Sequence, residues 1–240
     1  MRPYLRFAEH LHGKVILEHA FPQQFAELTK ALGATDIPLR AAEPFTPTGR
    51  PMTPKRQKKS FQGQERLALM PIDQSAWNDQ IAKALRDELW NEQPVANESE
   101  GMQGANLKGD FVKNRVFVEV EFGNVASVHR DFFKFQIASR ARTGDVAVLV
   151  VATARVANLI DQGVATFEYL LSLREYLSIG IQMPICIIGL DVLEGAVGLP
   201  DWGDIYARYV EMYKVATQNG LECHPFEVAS RAPLDAMSDR

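Results

Sequence analysis

One stretch constrains the fold more than any other: Asp110 to Asn124, DFVKNRVFVEVEFGN. From Val116 the residues alternate strictly. Val116, Val118, Val120 and Phe122 take one face, and Phe117, Glu119 and Glu121 take the other. The run reads as one arm of a buried β-hairpin, with Lys113-Asn114-Arg115 as the turn. Two carboxylates on one face of such a strand conflict with a purely apolar core. Buried charge is costly unless it is paired or binds a metal. A local conflict of this kind is where function is expected.

The chain has 240 residues, enough for one large domain with a sizeable core. We expect a single domain over residues 1–240. With 46% hydrophobic and 23% charged residues, neither disorder nor a membrane protein is indicated. No apolar run is long enough to span a bilayer, and the start, MRPYLRFAEHLHGK, has no secretory apolar core. The two cysteines, Cys186 and Cys223, form neither a disulfide framework nor a metal-binding spacing. The expectation is a cytoplasmic, reduced protein. A net charge of −4 argues against a non-specific nucleic-acid binder, but a locally basic groove remains compatible with it.

Along the chain, KVILEH (Lys14 to His19) reads as a short strand, and QQFAELTKALG as a helix stopped by Gly33. DIPLRAAE, from Asp36, reads as another short strand. Residues 41–66 differ in composition. Pro44, Pro47, Pro51 and Pro54 precede a basic cluster of Lys55, Arg56, Lys58 and Lys59, flanked by Arg50 and Arg66. This is either a solvated loop or a mobile arm that contacts phosphates. Ser75 to Leu89 is predicted to be helical, capped by Ser75, with Ile81, Leu85 and Leu89 on its apolar stripe.

After Asn124 the period becomes helical, with Val125, Val128, Phe132 and Phe135 as the stripe and Ser127, Arg130, Asp131 and Lys134 facing elsewhere. DVAVLVV (Asp145 to Val151) and PICIIGL (Pro184 to Leu190) are buried strands. Helices are predicted over Arg155 to Ile160, Thr166 to Leu177 and Trp202 to Gln218. The order defines an α/β fold, a mixed central β-sheet flanked by helices.

The chemistry follows from the hairpin. Glu119 and Glu121 project from one face about 7 Å apart, at a rise of ~3.3 Å per residue. The turn folds Asp110 back beside Glu119. Three acids around one point make an oxygen-rich site suited to Mg²⁺, and no cysteine or histidine except His129 is near enough in sequence to favour zinc. Such a site can hydrolyse a phosphodiester, with Asp110 and Glu119 as ligands and Glu121 orienting or deprotonating the water. Paired carboxylates also serve glycosidases, but that reading accounts for neither the third acid nor the basic arm.

The span VFVEVEFGNVASVHR, followed by GDVAVLVV, VATFEYL and PICIIGLD, resembles the type II restriction endonucleases of the BglII/BamHI group, a branch of the PD-(D/E)xK nuclease superfamily. The likeness runs from about Ala84 to Asp191 and is strongest from Asp110 to Arg130. It implies a restriction-endonuclease-like fold and a Mg²⁺-dependent homodimer that cuts both strands of a short, GATC-centred DNA palindrome, leaving 5′-phosphate ends. One or two Mg²⁺ per subunit are implied, with Mn²⁺ able to substitute, and a companion DNA methyltransferase encoded nearby. Asp110, Glu119 and the carbonyl of Val120 would bind the metal. Glu121 stands where the superfamily usually has lysine. The segment LWNEQP resembles one that carries a further active-site acid, which puts that role on Glu92.

Base reading in the group begins just after the ExE strand. The resemblance assigns DNA contacts to Asn124 and Arg130, with Ser127 and His129 nearby. An amide can pair bidentately with a base edge, and arginine with guanine. Asn124 reads equally as a helix N-cap, and Arg130 as a surface charge opposite Asp131 or Lys134. Where the group carries a second contact segment, this chain has Gln162 and Gly163. If all six bases of residues 50–66 met phosphates, log affinity would fall against log salt with a slope near −5 per subunit, at about 0.9 per contact. Two other functions fit the same residues: a repair or structure-specific nuclease of this superfamily, and a non-catalytic DNA-binding relative.

Overall fold

The computed structural model describes residues 2–38, 72–96, 107–160, 163–192 and Gln218. Met1–Leu39 and Ile72–Trp202 form one compact unit, and Arg40–Pro71 with Gly203–Arg240 a second. Apart from Gln218, every described residue belongs to the first. The basic segment 41–66, Gln162, Cys223 and the helix expected over Trp202 to Gln218 lie outside the described residues, Gln218 excepted.

The elements run β1 (Tyr4–His10), α1 (Gly13–Ala20), α2 (Pro22–Ala34), α3 (Gln74–Asp87), β2 (Asn91–Glu92), β3 (Phe111–Lys113), β4 (Val116–Glu121), α4 (Val125–Arg140), β5 (Val146–Ala152), α5 (Ala154–Ala157), α6 (Phe167–Ser172), α7 (Arg174–Gly180) and β6 (Ile185–Asp191). Six strands form one sheet in the order β1-β6-β5-β4-β3-β2. The central three, β4, β5 and β6, are parallel, while β1 and the β2–β3 edge run antiparallel. The sheet is mixed and flanked by helices, as the pattern of elements predicts.

Burial explains the central strands. Every residue of β5 and β6 is buried, as expected for continuous β-branched and aliphatic runs covered on both faces. On one face, Phe132 and Phe135 of α4, Phe167 and Leu170 of α6 and Leu177 of α7 join Phe117, Leu149 and Ile187 of the sheet in one cluster. On the other, Phe122 stacks on Trp77 of α3 with ring centroids 4.8 Å apart. The alternation read from Val116 thus holds: its two faces meet two different helical layers. Cys186 is buried in β6, and burial pushes its thiol up to about 12, so it packs as an inert hydrophobe.

Three local expectations are corrected. Lys14 to His19 is not a strand but most of α1. Its β-branched residues are overridden because the helix starts against β6: a Cβ at Gly13 would lie 2.2 Å from the backbone carbonyl carbon of Ile185. The described part of DIPLRAAE, residues 36–38, forms no strand; Ile37 is buried there as part of a connecting segment. The cap of α3 is Asp73 rather than Ser75, its Oδ1 accepting from the Ala76 N–H at 3.1 Å. A carboxylate there also favours the positive end of the helix.

Gly13 and Gly33 make a paired test. Gly13→Ala forces a methyl into backbone that cannot move aside, and is expected to cost about 1–3 kcal/mol. At Gly33, inside α2, nothing lies within 4 Å of an added Cβ. Gly33→Ala is expected to stabilise by about 0.5–1 kcal/mol, the helix-interior cost of glycine. Urea unfolding of the two variants beside wild type measures both.

Candidate active site

The hairpin sets the geometry. Asn114 and Arg115 both have positive φ, 47° and 67°, the signature of a two-residue turn that matches strand twist. Arg115 is anchored by Asp145, its Nε donating to Oδ2 at 2.6 Å, which ties the turn to the start of β5. Lys113 donates to the Glu27 carboxylate and the Glu88 carbonyl, each at 2.6 Å, pinning β3 to α2 and the end of α3. The register is therefore fixed: Phe111 faces Val118 and Lys113 faces Val116. One step outward, Asp110 comes opposite Glu119, as the sequence suggests.

Beyond Val118, β4 has no further partner residues in β3. The Asp110 side chain takes over that edge, Oδ2 accepting from the Val120 N–H at 2.8 Å. In a strand the N–H and C=O of one residue point to the same side. The Val120 carbonyl therefore faces the edge that Asp110 occupies. Glu119 is 2% exposed and lies under α4, on the face that Phe117 occupies. The chain passes close to it at Gly109, where an added Cβ would lie 3.1 Å from Glu119 Oε1 and 2.3 Å from the Phe117 ring.

Helix α4 completes the site with residues that sequence reasoning placed elsewhere. Lys134 is buried, and its Nζ donates to Glu119 Oε2 at 2.7 Å. The same Nζ lies 2.9 Å from Asp131 Oδ1, an ion pair whose geometry falls short of a hydrogen bond. Asp131 is 1% exposed. Neither of its oxygens, nor Glu119 Oε1, has a hydrogen-bond partner among the described residues. Glu121 accepts from the Gly123 N–H at 2.5 Å and lies 3.8 Å from Arg130. Arg130 is also 3.9 Å from Asp131, though its side chain is mostly exposed. A signal for the missed pair exists: Asp131 falls at i+3 from Val128 and i−4 from Phe135, inside the buried stripe.

Crowding shifts the acids upward. Burial, with repulsion from Asp110 and Asp131, pushes Glu119 up to about 8 against the pull of Lys134. Burial and Asp131 push Glu121 up to about 7. Burial also raises Asp110, although the Val120 N–H opposes it. Burial alone would lower Lys134, but Glu119 and Asp131 outweigh it and hold the ammonium above its ordinary value.

The other assigned residues are spread more widely. Asn124 caps α4, its Oδ1 accepting from the Ala126 N–H at 2.9 Å, so the capping role is present whatever else the side chain does. Ser127 is half-buried in the first turn of α4. His129 is within hydrogen-bond distance of the Tyr169 hydroxyl, 3.2 Å, on the side of α4 that meets α6. Glu92 pairs in the sheet with Phe111, next to Asp110. By strand parity its side chain lies on the Val118 face, opposite Glu119, and its carboxylate pairs with Arg86 of α3 at 2.9 Å.

Among the described residues, no three His, Cys, Asp or Glu side chains form a ready-made metal cage. Asp110 is engaged by Val120, Glu119 by Lys134 and Glu121 by Gly123. The donor set still suits a hard cation. Among the described residues, the basic groups facing Asp110, Glu119, Glu121 and Asp131 are Lys134 and Arg130, so full ionisation leaves two negative charges, those that one divalent ion neutralises. The unpartnered Glu119 Oε1 is a free acceptor within this set.

A mixed sheet carrying buried acids on one hairpin, with a helix starting directly after them, is the arrangement of a restriction endonuclease. The Endonuc-BglII family, restriction endonuclease BglII/BglIII, matches residues 5–190, and the chain belongs to that family. It is accordingly a type II restriction endonuclease, a site-specific deoxyribonuclease. Among solved structures, restriction endonuclease BglII complexed with a DNA 16-mer is similar in fold, with a TM-score of 0.56 and 18% identity over 80% of this chain and 78% of that one. Free BglII matches with a TM-score of 0.49 and 18% identity over 80% and 82%. No curated protein matches the chain.

The raised acids give a pH test. Between the ordinary value near 4.5 and about 8, folded Glu119 holds more proton than the unfolded chain does; for Glu121 the window ends near 7. Their contribution to stability is therefore full below about 4.5 and is lost as pH rises through those folded values. Thermal unfolding without metal is expected to show this decline, and Glu119→Gln, which cannot ionise, is expected to flatten it.

Proposed function

We propose that this endonuclease hydrolyses both strands of a short DNA palindrome as a Mg²⁺-dependent homodimer, with Asp110, Glu119 and the Val120 carbonyl holding the ion. The observation that carries this reading is the under-neutralised acid group on β4 beside the Asp110 edge. When bound, a divalent cation supplies Lewis-acid polarisation of the phosphate and lowers the pKa of a bound water. The chain's own residues do the rest. Asp110 and Glu119 fix where charge is concentrated. Glu121, held near 7 and steadied by the Gly123 N–H, is suited to orient the attacking water and accept its proton. Water adds to phosphorus as the bond to the 3′ oxygen breaks, which gives a 5′-phosphate end. One α4 carries Lys134 at the acids and Asn124 and Arg130 at the exposed first turns, so base contact and cleavage share a rigid element.

The GATC-centred target remains part of the proposal, as do DNA contacts from Asn124, Ser127, His129, Arg130, Gln162 and the bases at 55–59. A partner methyltransferase would protect the host's own sites. Palindromic recognition requires a two-fold dimer. A groove lined by His129, Phe132, Phe133, Tyr176 and Ile181 supports the α4–α7 side as its interface, and Phe133, Tyr176 and Ile179 are exposed there.

Unmethylated plasmid incubated with the protein and Mg²⁺ is expected to give discrete fragments whose sequenced ends share one palindrome. Glu119→Ala is expected to slow cleavage at least ~10²-fold, because several kcal/mol of transition-state stabilisation depend on the ion. A smear, cutting confined to junctions or flaps, or undiminished cutting by Glu119→Ala would count against the proposal. Phe133→Glu with Tyr176→Glu is expected to shift the protein from dimer to monomer in sedimentation. Unchanged sedimentation would move the interface elsewhere.

A further inference from the structure

Lys134 is placed where a metal ligand must become free. Its ammonium is hydrogen-bonded to Glu119 Oε2, a proposed ligand, and is also 2.9 Å from Asp131, which has no hydrogen-bond partner among the described residues. An ammonium and a divalent ion compete for the same carboxylate. A buried carboxylate such as Asp131 is costly unless it holds a cation, and the cation in contact with it is Lys134. The two carboxylates thus offer one ammonium two resting places, one of which the metal needs.

We infer that Lys134 is a resident cation beside Glu119 which hands that carboxylate over to the metal and keeps its place on Asp131. The inference rests on the metal-dependent reading above and deepens it. Asp131 and Lys134 are positioning residues: Lys134 acts through Glu119, and Asp131 acts through Lys134. The spacing i, i+3 on α4 keeps the lysine tip in contact with both partners at once, so it can give up Glu119 without moving the helix. Arg130 faces Glu121 and Asp131 from the solvent side, but at 3.8 and 3.9 Å it substitutes for neither close contact.

The test is Ca²⁺ binding by calorimetry, without DNA. Wild type should bind Ca²⁺ and Glu119→Gln should not. Lys134→Met should bind about tenfold more tightly, and Asp131→Asn about tenfold more weakly, in the range of measured couplings between touching residues. In the Lys134→Met background, Asp131→Asn should change little, because its effect passes through the lysine. A pure sum of charges would instead make the two substitutions additive. Unchanged or weaker binding by Lys134→Met, or an equal loss from Asp131→Asn in both backgrounds, overturns the handover while leaving the metal site standing. Absence of Ca²⁺ binding by wild type overturns both.

Should Lys134→Met fail to fold, the lysine ζ-nitrogen resonance of wild type decides. It should shift on Ca²⁺ addition yet stay protected from solvent exchange, and lose that protection in Asp131→Asn. An unshifted resonance overturns the inference.

Discussion

The burial of Glu119 beneath α4, with Lys134 as its cation, is the interaction on which the rest of the structure depends. A carboxylate that is 2% exposed on a central-layer strand would ordinarily be a defect. Desolvating an unpaired charge costs several kcal/mol, and removing one member of a buried pair is more damaging than never having had the pair. The sheet accommodates the acid because α4 runs back across it and delivers an ammonium at 2.7 Å. That in turn requires α4 to start where it does, directly after β4, with Asn124 as its cap. Hairpin, strand and helix are thereby locked to one another.

In the proposed mechanism the same lock would link cleavage to recognition. The first turns of α4 carry the exposed Arg130, while the following residues carry Asp131 and Lys134 into the interior. A force on the exposed end reaches the acids through one rigid helix. Arg130 already leans toward Glu121 and Asp131. Capture of that guanidinium by a base or a phosphate would withdraw a positive charge from beside Glu121. The electrostatics of the site therefore respond to what lies against the helix, and no hinge is needed to transmit the change.

Much of this was legible in the sequence because the period and the burial agree. The alternation from Val116 sorts its side chains between two helical layers, and the Lys113–Arg115 turn puts Asp110 opposite Glu119. The runs that became β5 and β6 were readable for the same reason. Elements governed by long-range contact were not. β1, YLRFAEH, is intermediate in burial for most of its length and owes its strand form to antiparallel pairing with β6. α1 carries two adjacent β-branched residues, Val15 and Ile16, and becomes helical where Gly13 packs onto Ile185. Lys134 and Asp131 escaped because a charged residue on an amphipathic helix is ordinarily a solvated one. Their positions in the stripe of Val128 and Phe135 carried the information, but only the acids facing them give it meaning.

The acids of β4 and the Asp110 edge are proposed as a cation site. Anomalous scattering from crystals soaked in Mn²⁺ tests it most directly. One Mn²⁺ or more is expected at Asp110, Glu119 and the Val120 carbonyl, with Lys134 parted from Glu119 and kept on Asp131. Manganese absent from these residues at saturating concentration, or bound with the Lys134–Glu119 hydrogen bond intact, would contradict it.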